Sequence, residues 1–105
     1  MPRQAAVLCG GRGTRLRPYT DTAPKPMVEV ADRPFLEHLL RQLAEQGIVR
    51  FVLMTGHMGE QIHDYFGTGS RWGWDIGYSH GPAGWDTGRR VVEAAGLLDE
   101  SFVLL

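Results

Sequence analysis

The chain has 105 residues, 43% hydrophobic and 22% charged, which suits a single globular domain at most and excludes disordered or fibrous protein. A formal net charge of -1 leaves no broad positive surface for nucleic acid or anionic membrane, so any attraction to phosphate has to be local. One cysteine excludes an internal disulfide, no apolar run approaches membrane-spanning length and no signal-peptide pattern opens the chain, so a cytoplasmic location is expected.

Residues 5–9 are apolar throughout and predict a strand buried on both faces, as in a parallel sheet, with Cys9 packing as a small residue at its end. Gly10, Gly11 and Gly13 follow. They can adopt backbone angles closed to other residues and place no Cβ between main chain and ligand, and the N–H groups of such a turn converge on an anion. Arg12, Arg15, Arg17 and Lys25 lie close by, a set of cations suited to a nucleoside triphosphate. At an effective dielectric near 20, each close ion contact is worth on the order of 4 kcal/mol before desolvation. Lys25 is the only lysine in the chain. Between Pro24 and Pro26, it and Ala23 are predicted to be extended and stiff, aiming a point charge of the kind that stabilises a transition state.

Next comes a short apolar stretch, Met27, Val28 and Val30. Asp32-Arg33-Pro34 predicts a helix start with Pro34 at the first helical position. Phe35, Leu36, Leu39, Leu40 and Leu43 keep helical spacing until Gly47. Residues 49–54 read as a second strand, reached by a right-handed crossover if the sheet is parallel. Thr55-Gly56 turns into a short helix over 58–66, ended by Gly67, and 67–70 is a loop. Residues 74–78 alternate and predict a third strand, broken by Gly81-Pro82-Ala83-Gly84. Asp86 or Thr87 caps a helix carrying Val91, Val92, Ala95 and Leu98, and 102–105 have the composition of another buried strand.

Strand and helix in alternation predict an α/β fold, a doubly wound, mostly parallel sheet with helices on both faces and ligands at the carboxyl ends of its strands. A chain stopping on an apolar core strand is expected to be the N-terminal part of a longer one, with an open sheet edge and no turnover of its own.

Two familiar glycine motifs do not fit. The dinucleotide pattern Gly-x-Gly-x-x-Gly matches at Gly11 and Gly13 but meets Leu16 at its third glycine, and no acidic residue ends a second strand. The P-loop pattern fails because Lys25 lies too far past Gly13 and no Lys-Ser or Lys-Thr pair exists. What remains is Leu8-x-Gly10-Gly11-x-Gly13-Thr14-Arg15-Leu16-x-Pro18-x-Thr20-x-x-x-Pro24-Lys25-Pro26-Met27-x-x-Val30. This resembles the signature of the sugar-1-phosphate nucleotidylyltransferases, in character nearest to the heptose- and mannose-type guanylyltransferases. Arg33-Pro34, Thr55-Gly56-His57, Tyr65-Phe66-Gly67 and Asp86-Thr87-Gly88 extend the resemblance over essentially the whole chain.

The resemblance implies the N-terminal part of a Rossmann-like nucleotidyltransferase domain. A sugar 1-phosphate oxygen would attack the α-phosphorus of a nucleoside triphosphate, giving an NDP-sugar and pyrophosphate, with Mg²⁺ required and with positioning and charge neutralisation dominating. It places Leu8, Gly10 and Gly11 along the nucleoside, wraps the phosphates with Gly11, Gly13, Thr14 and Arg15, and assigns Arg15 to the departing pyrophosphate. Lys25 approaches the phosphates where charge builds, and Gly88 belongs to a second nucleotide-contacting loop near the base. GTP is favoured, with CTP or dTTP next; a homo-oligomer and a role in supplying cell-envelope polysaccharide are further expectations. The sequence departs from the family at Arg89 and Arg90, which stand where small residues are usual. The family's metal-binding aspartate is expected just after Leu105, so no metal ligand is assigned within this chain.

His57 and His63 fall on different helix faces, and His38 and His80 have no partner at ligand spacing, so histidine-bound metal is not expected. Trp72, Trp74 and Trp85 read as packing or rim residues, and Glu37, Glu45 and Glu93 as solvated helix faces. The alternative from another class is a non-catalytic nucleotide-binding or regulatory domain; a dinucleotide oxidoreductase would rest on the glycines alone.

Overall fold

The structure, a computed structural model, describes residues 3–10 and 23–105. Strand β1 (Gln4–Cys9) pairs in parallel with β4 (Arg50–Thr55), and β4 with β5 (Asp75–His80), in registers such as Ala6 with Val52 and Leu53 with Tyr78. The short strand β6 (Val103–Leu104) lies on the other side of β1, so the sheet order is β5-β4-β1-β6. Helices α1 (Phe35–Glu45) and α2 (Gly59–Phe66) connect the first three sheet strands, and α3 (Thr87–Glu93) leads back to β6.

Alternation along each strand divides the core in two. Ala5, Val7, Cys9, Phe51 and Leu53 face Leu36, Leu40 and Leu43 of α1 and Ile62 and Phe66 of α2. Ala6, Val52 and Met54 face Ala94, with Leu98 and Phe102 packed at the margin. Both faces are covered, which is why residues 5–9 carry no polar alternation. The doubly wound arrangement is as expected. Its topological switch point lies between β1 and β6, where the strand order reverses.

Several local expectations are corrected. Lys25 is not extended: it opens a single 3₁₀ turn, Lys25–Met27, in which Met27 N–H donates to the Pro24 carbonyl at 2.9 Å. The two prolines tolerate this because neither sits where the turn needs an N–H donor. Pro34 is not the first helical residue but the N-cap of α1, extended with ψ 141°. It belongs to a two-residue hairpin of β2 (Glu29–Val30) and β3 (Arg33–Pro34). The connecting Ala31 and Asp32 have φ of 51° and 66°, the positive pair demanded by a tight hairpin turn. Phe35 is consequently half-exposed, because the helix begins there at the hairpin's edge.

Glu37 is fully buried and not solvated. The apolar face of α3 is also displaced: Val92 is 70% exposed while Arg90 is 4% exposed, because this short helix turns Arg90, Val91 and Ala94 toward the sheet. Residues 102–105 are only partly covered, since β6 has β1 as its one neighbour among the described strands.

Other expectations hold. Gly47, at φ 92°, follows the end of α1, and Gly67 caps α2. Trp74 packs edge-on against Phe51 and stacks on Trp72 at 5.0 Å, a packing role. Asp86 caps α3, its carboxylate accepting the Arg89 N–H at 2.8 Å. Removing that cap by Asp86→Ala is expected to cost about 1 kcal/mol. A thermal melt reads this as a fall of roughly 4 °C or more; an unchanged midpoint would deny the cap any energetic role.

Candidate functional site

In an open parallel sheet ligands collect outside the carboxyl ends of the strands, at the switch point. Here those ends are Cys9, Thr55, His80 and Leu104. The edge of the crevice is held by β6, whose following residue Leu105 accepts from Leu8 N–H at 2.8 Å and donates to the Ala6 carbonyl at 2.9 Å.

Of the residues assigned from sequence, Gly11, Gly13, Thr14 and Arg15 lie outside the described residues. Leu8 and Gly10 are at the end of β1, Leu8 half-buried and Gly10 buried at the crevice floor. Chain leaves the sheet at Gly10 and is described again from Ala23, shortly before the 3₁₀ turn. Lys25 is exposed on that turn, and no partner is recorded for it among the described residues. The turn packs against α1 and α2, with Met27 against the core, and the Val28 carbonyl accepts Phe35 N–H at 2.9 Å. Lys25 is thus on a braced support even though its backbone is not extended.

Gly88 is exposed in the first turn of α3, and a Cβ there would meet, among the described residues, nothing nearer than the Asp86 carboxylate at 3.6 Å. The fold does not require glycine at that position, which leaves the absent side chain available to an approaching ligand. Gly10 differs. A Cβ on it would fall 2.2 Å from Arg90 Cζ, so its bareness is needed by the protein's own packing.

Arg90 joins the site from a position that sequence does not mark: it departs from the small residues of the second loop, and nothing in its spacing signals burial. Its Nη1 donates to the Thr55 carbonyl at 2.9 Å, and its Nη2 to the carbonyls of Pro82 at 2.8 Å and Gly10 at 3.4 Å. One guanidinium therefore ties the carboxyl end of β4 to the segments that follow β1 and β5.

Beside it, a cleft of about 360 Å³ is lined by Thr55, Glu60, His63, Asp64, Tyr78 and His80. The buried Thr55 hydroxyl meets His80 Nδ1 at 3.0 Å, and the Tyr78 hydroxyl donates to the Gly67 carbonyl at 2.7 Å. Burial, reinforced by Cys9 nearby, pushes the Tyr78 phenol up to about 12. The Cys9 thiol is likewise pushed up to about 12 by burial, against the opposing pull of Arg90, so it is protonated and inert as a nucleophile at neutral pH. No group of three or more His, Cys, Asp or Glu among the described residues could hold a metal ion. No described helix is long and apolar enough to cross a membrane.

The two helices against which the Lys25 turn packs are joined by a buried carboxylate. Glu37 accepts from the Tyr65 hydroxyl at 2.5 Å, from Arg33 at 2.7 Å and from Arg41 at 2.8 Å, tying α1 to α2 and to the hairpin that follows Lys25. Burial pushes this carboxyl upward, but the three hydrogen bonds outweigh it and hold it down at about 2.

Comparison with known proteins agrees with this architecture. The chain is 41% identical over 102 residues to the N-acetylmuramate alpha-1-phosphate uridylyltransferase of Neisseria meningitidis serogroup B, covering 97% of this chain and 42% of that protein. It is 44% identical over 94 residues to the mannose-1-phosphate guanylyltransferase of Mycobacterium tuberculosis, covering 90% and 26%. Among solved structures, HddC from Yersinia pseudotuberculosis complexed with GMP-PN superposes with a TM-score of 0.83 at 27% identity, over 98% of this chain and 46% of that one. The chain spans less than half the length of these relatives. The sequence profile of the nucleotidyl transferase family matches residues 4–105, and the chain belongs to that family.

Proposed function

We propose that the protein transfers a nucleotidyl group from a nucleoside triphosphate to a sugar 1-phosphate, releasing pyrophosphate and an NDP-sugar that feeds cell-envelope polysaccharide. The observation that carries this reading is the placement of Gly10, the start of the glycine and arginine stretch, at the switch point of a doubly wound sheet. Family membership and the sugar-1-phosphate enzymes among the relatives support the reaction class.

In this reading Leu8, Gly10 and Gly11 lie along the nucleoside, Gly11, Gly13, Thr14 and Arg15 wrap the phosphates, and Arg15 neutralises the departing pyrophosphate. Lys25, exposed and on a braced turn, meets charge developing at the α-phosphorus. Gly88 lets the base side of the nucleotide approach α3 closely. Mg²⁺ is part of the proposal as the neutraliser of the triphosphate's charge. The described residues offer no cluster to hold it.

GTP is the proposed donor, with CTP or dTTP next. The relatives at comparable identity include both a uridylyl- and a guanylyltransferase, so UTP belongs in the same test. The protein as encoded in full should be supplied with each triphosphate, Mg²⁺ and hexose or heptose 1-phosphates, with pyrophosphate release as the readout. Release with GTP above the other three is the expected result. No release from any triphosphate would remove the enzyme reading in favour of a nucleotide-binding or regulatory domain.

A further inference from the structure

Arg90 is 4% exposed, and the three groups its guanidinium touches are carbonyls. Carbonyls satisfy N–H donors but carry no net charge. Elsewhere Arg33 and Arg41 pair with Glu37, Arg50 with Asp99 and Arg89 with Glu93, whereas no carboxylate among the described residues pairs with Arg90. Burying an ion without a counter-ion is strongly unfavourable, and proteins normally pair or neutralise such a charge.

The location explains its retention. The guanidinium lies directly under Gly10, where a Cβ would fall 2.2 Å from Cζ, and against Gly56, where a Cβ would fall 2.8 Å from Nη2. The charge, unpaired among the described residues, thus sits at the carboxyl ends of β1, β4 and β5, where an open parallel sheet collects its ligand and where low dielectric lengthens its reach.

We propose that Arg90 is a positioning residue that holds Gly10 at the crevice floor and supplies, from beneath the backbone, a counter-charge to the bound triphosphate. This rests on the nucleotidyl-transfer reading above.

The test compares wild type, Arg90→Met and Arg90→Lys in the protein as encoded in full, measuring affinity for the best-bound of the four triphosphates and for its free nucleoside. Arg90→Met should weaken triphosphate binding by about 10-fold or more and nucleoside binding by less than about 2-fold, and should flatten the salt dependence of the former. Arg90→Lys keeps the charge but loses the planar fork, so its melting temperature should fall while the ratio of the two affinities stays within about 3-fold of wild type. If Arg90→Met does not fold, Arg90→Lys alone decides: a collapsed ratio overturns the proposal. Equal weakening of triphosphate and nucleoside in Arg90→Met, or no weakening of either, also overturns it and leaves nucleotidyl transfer standing. A wild type that binds no triphosphate removes both.

Discussion

Replacing Lys25 by alanine in the protein as encoded in full is expected to lower kcat by about 100-fold while changing KM for the triphosphate by less than about 5-fold. The asymmetry follows from where the side chain stands. Lys25 is exposed on a 3₁₀ turn, unpaired among the described residues, and its loss leaves no buried group unsatisfied. Folding should therefore be unaffected, and a melt of the variant checks that directly. On the proposed reading, backbone N–H groups and arginines would hold the phosphates of the ground state, so a flexible ammonium would add little there and would contribute most where extra charge develops as the α-phosphorus is attacked. Steady-state kinetics at saturating sugar 1-phosphate separate the cases: equal effects on kcat and KM would reassign Lys25 to simple binding of the triphosphate.

A second large effect is expected at Glu37, in stability and not in chemistry. Glu37→Gln preserves the shape but removes the charge and turns an amide N–H₂ toward groups that are themselves donors, so unfolding free energy at neutral pH should fall on the order of 2–3 kcal/mol. The loss stays below that of a fully buried ion pair because the Arg33 and Arg41 side chains are about half exposed and rehydrate. The pH dependence carries a definite sign. A carboxyl held at about 2 when folded, against an ordinary value near 4.5, stabilises the protein fully above pH 4.5. That contribution drains away as pH falls from about 4.5 toward about 2. Urea unfolding of wild type and variant at pH 7 and pH 3 should show the gap narrowing in acid; an equal gap at both values would mean that Glu37 is not held as a carboxylate.

Glu37 also illustrates what a linear reading misses. On a helical wheel it is one more acid beside Leu36, and sequence spacing alone assigned it to solvent. What buries it is the arrival of Tyr65 from α2 and of Arg33 from the hairpin, which join Arg41 of its own helix on one carboxylate. The hairpin itself was illegible because Ala31-Asp32 lacks the Asn-Gly or Asp-Gly pattern that announces a turn with two positive φ angles. Pro34 accordingly read as the first helical residue when it is the last extended one.

The one-dimensional pattern alone determined the alternation of strand and helix, the burial of residues 5–9, the family resemblance and the glycine and arginine stretch at the end of the first strand. Those features are local: each depends on periodicity, backbone freedom or residue order within a short window. The tertiary structure decided which charges are buried and what the glycines are for. Gly10 is bare because a guanidinium brought from α3 occupies the space its Cβ would take, whereas a Cβ on Gly88 would meet, among the described residues, only the Asp86 carboxylate at an ordinary contact distance. The difference between those two glycines is a matter of what the fold carries into contact, and contacts between residues eighty positions apart have no trace in local sequence.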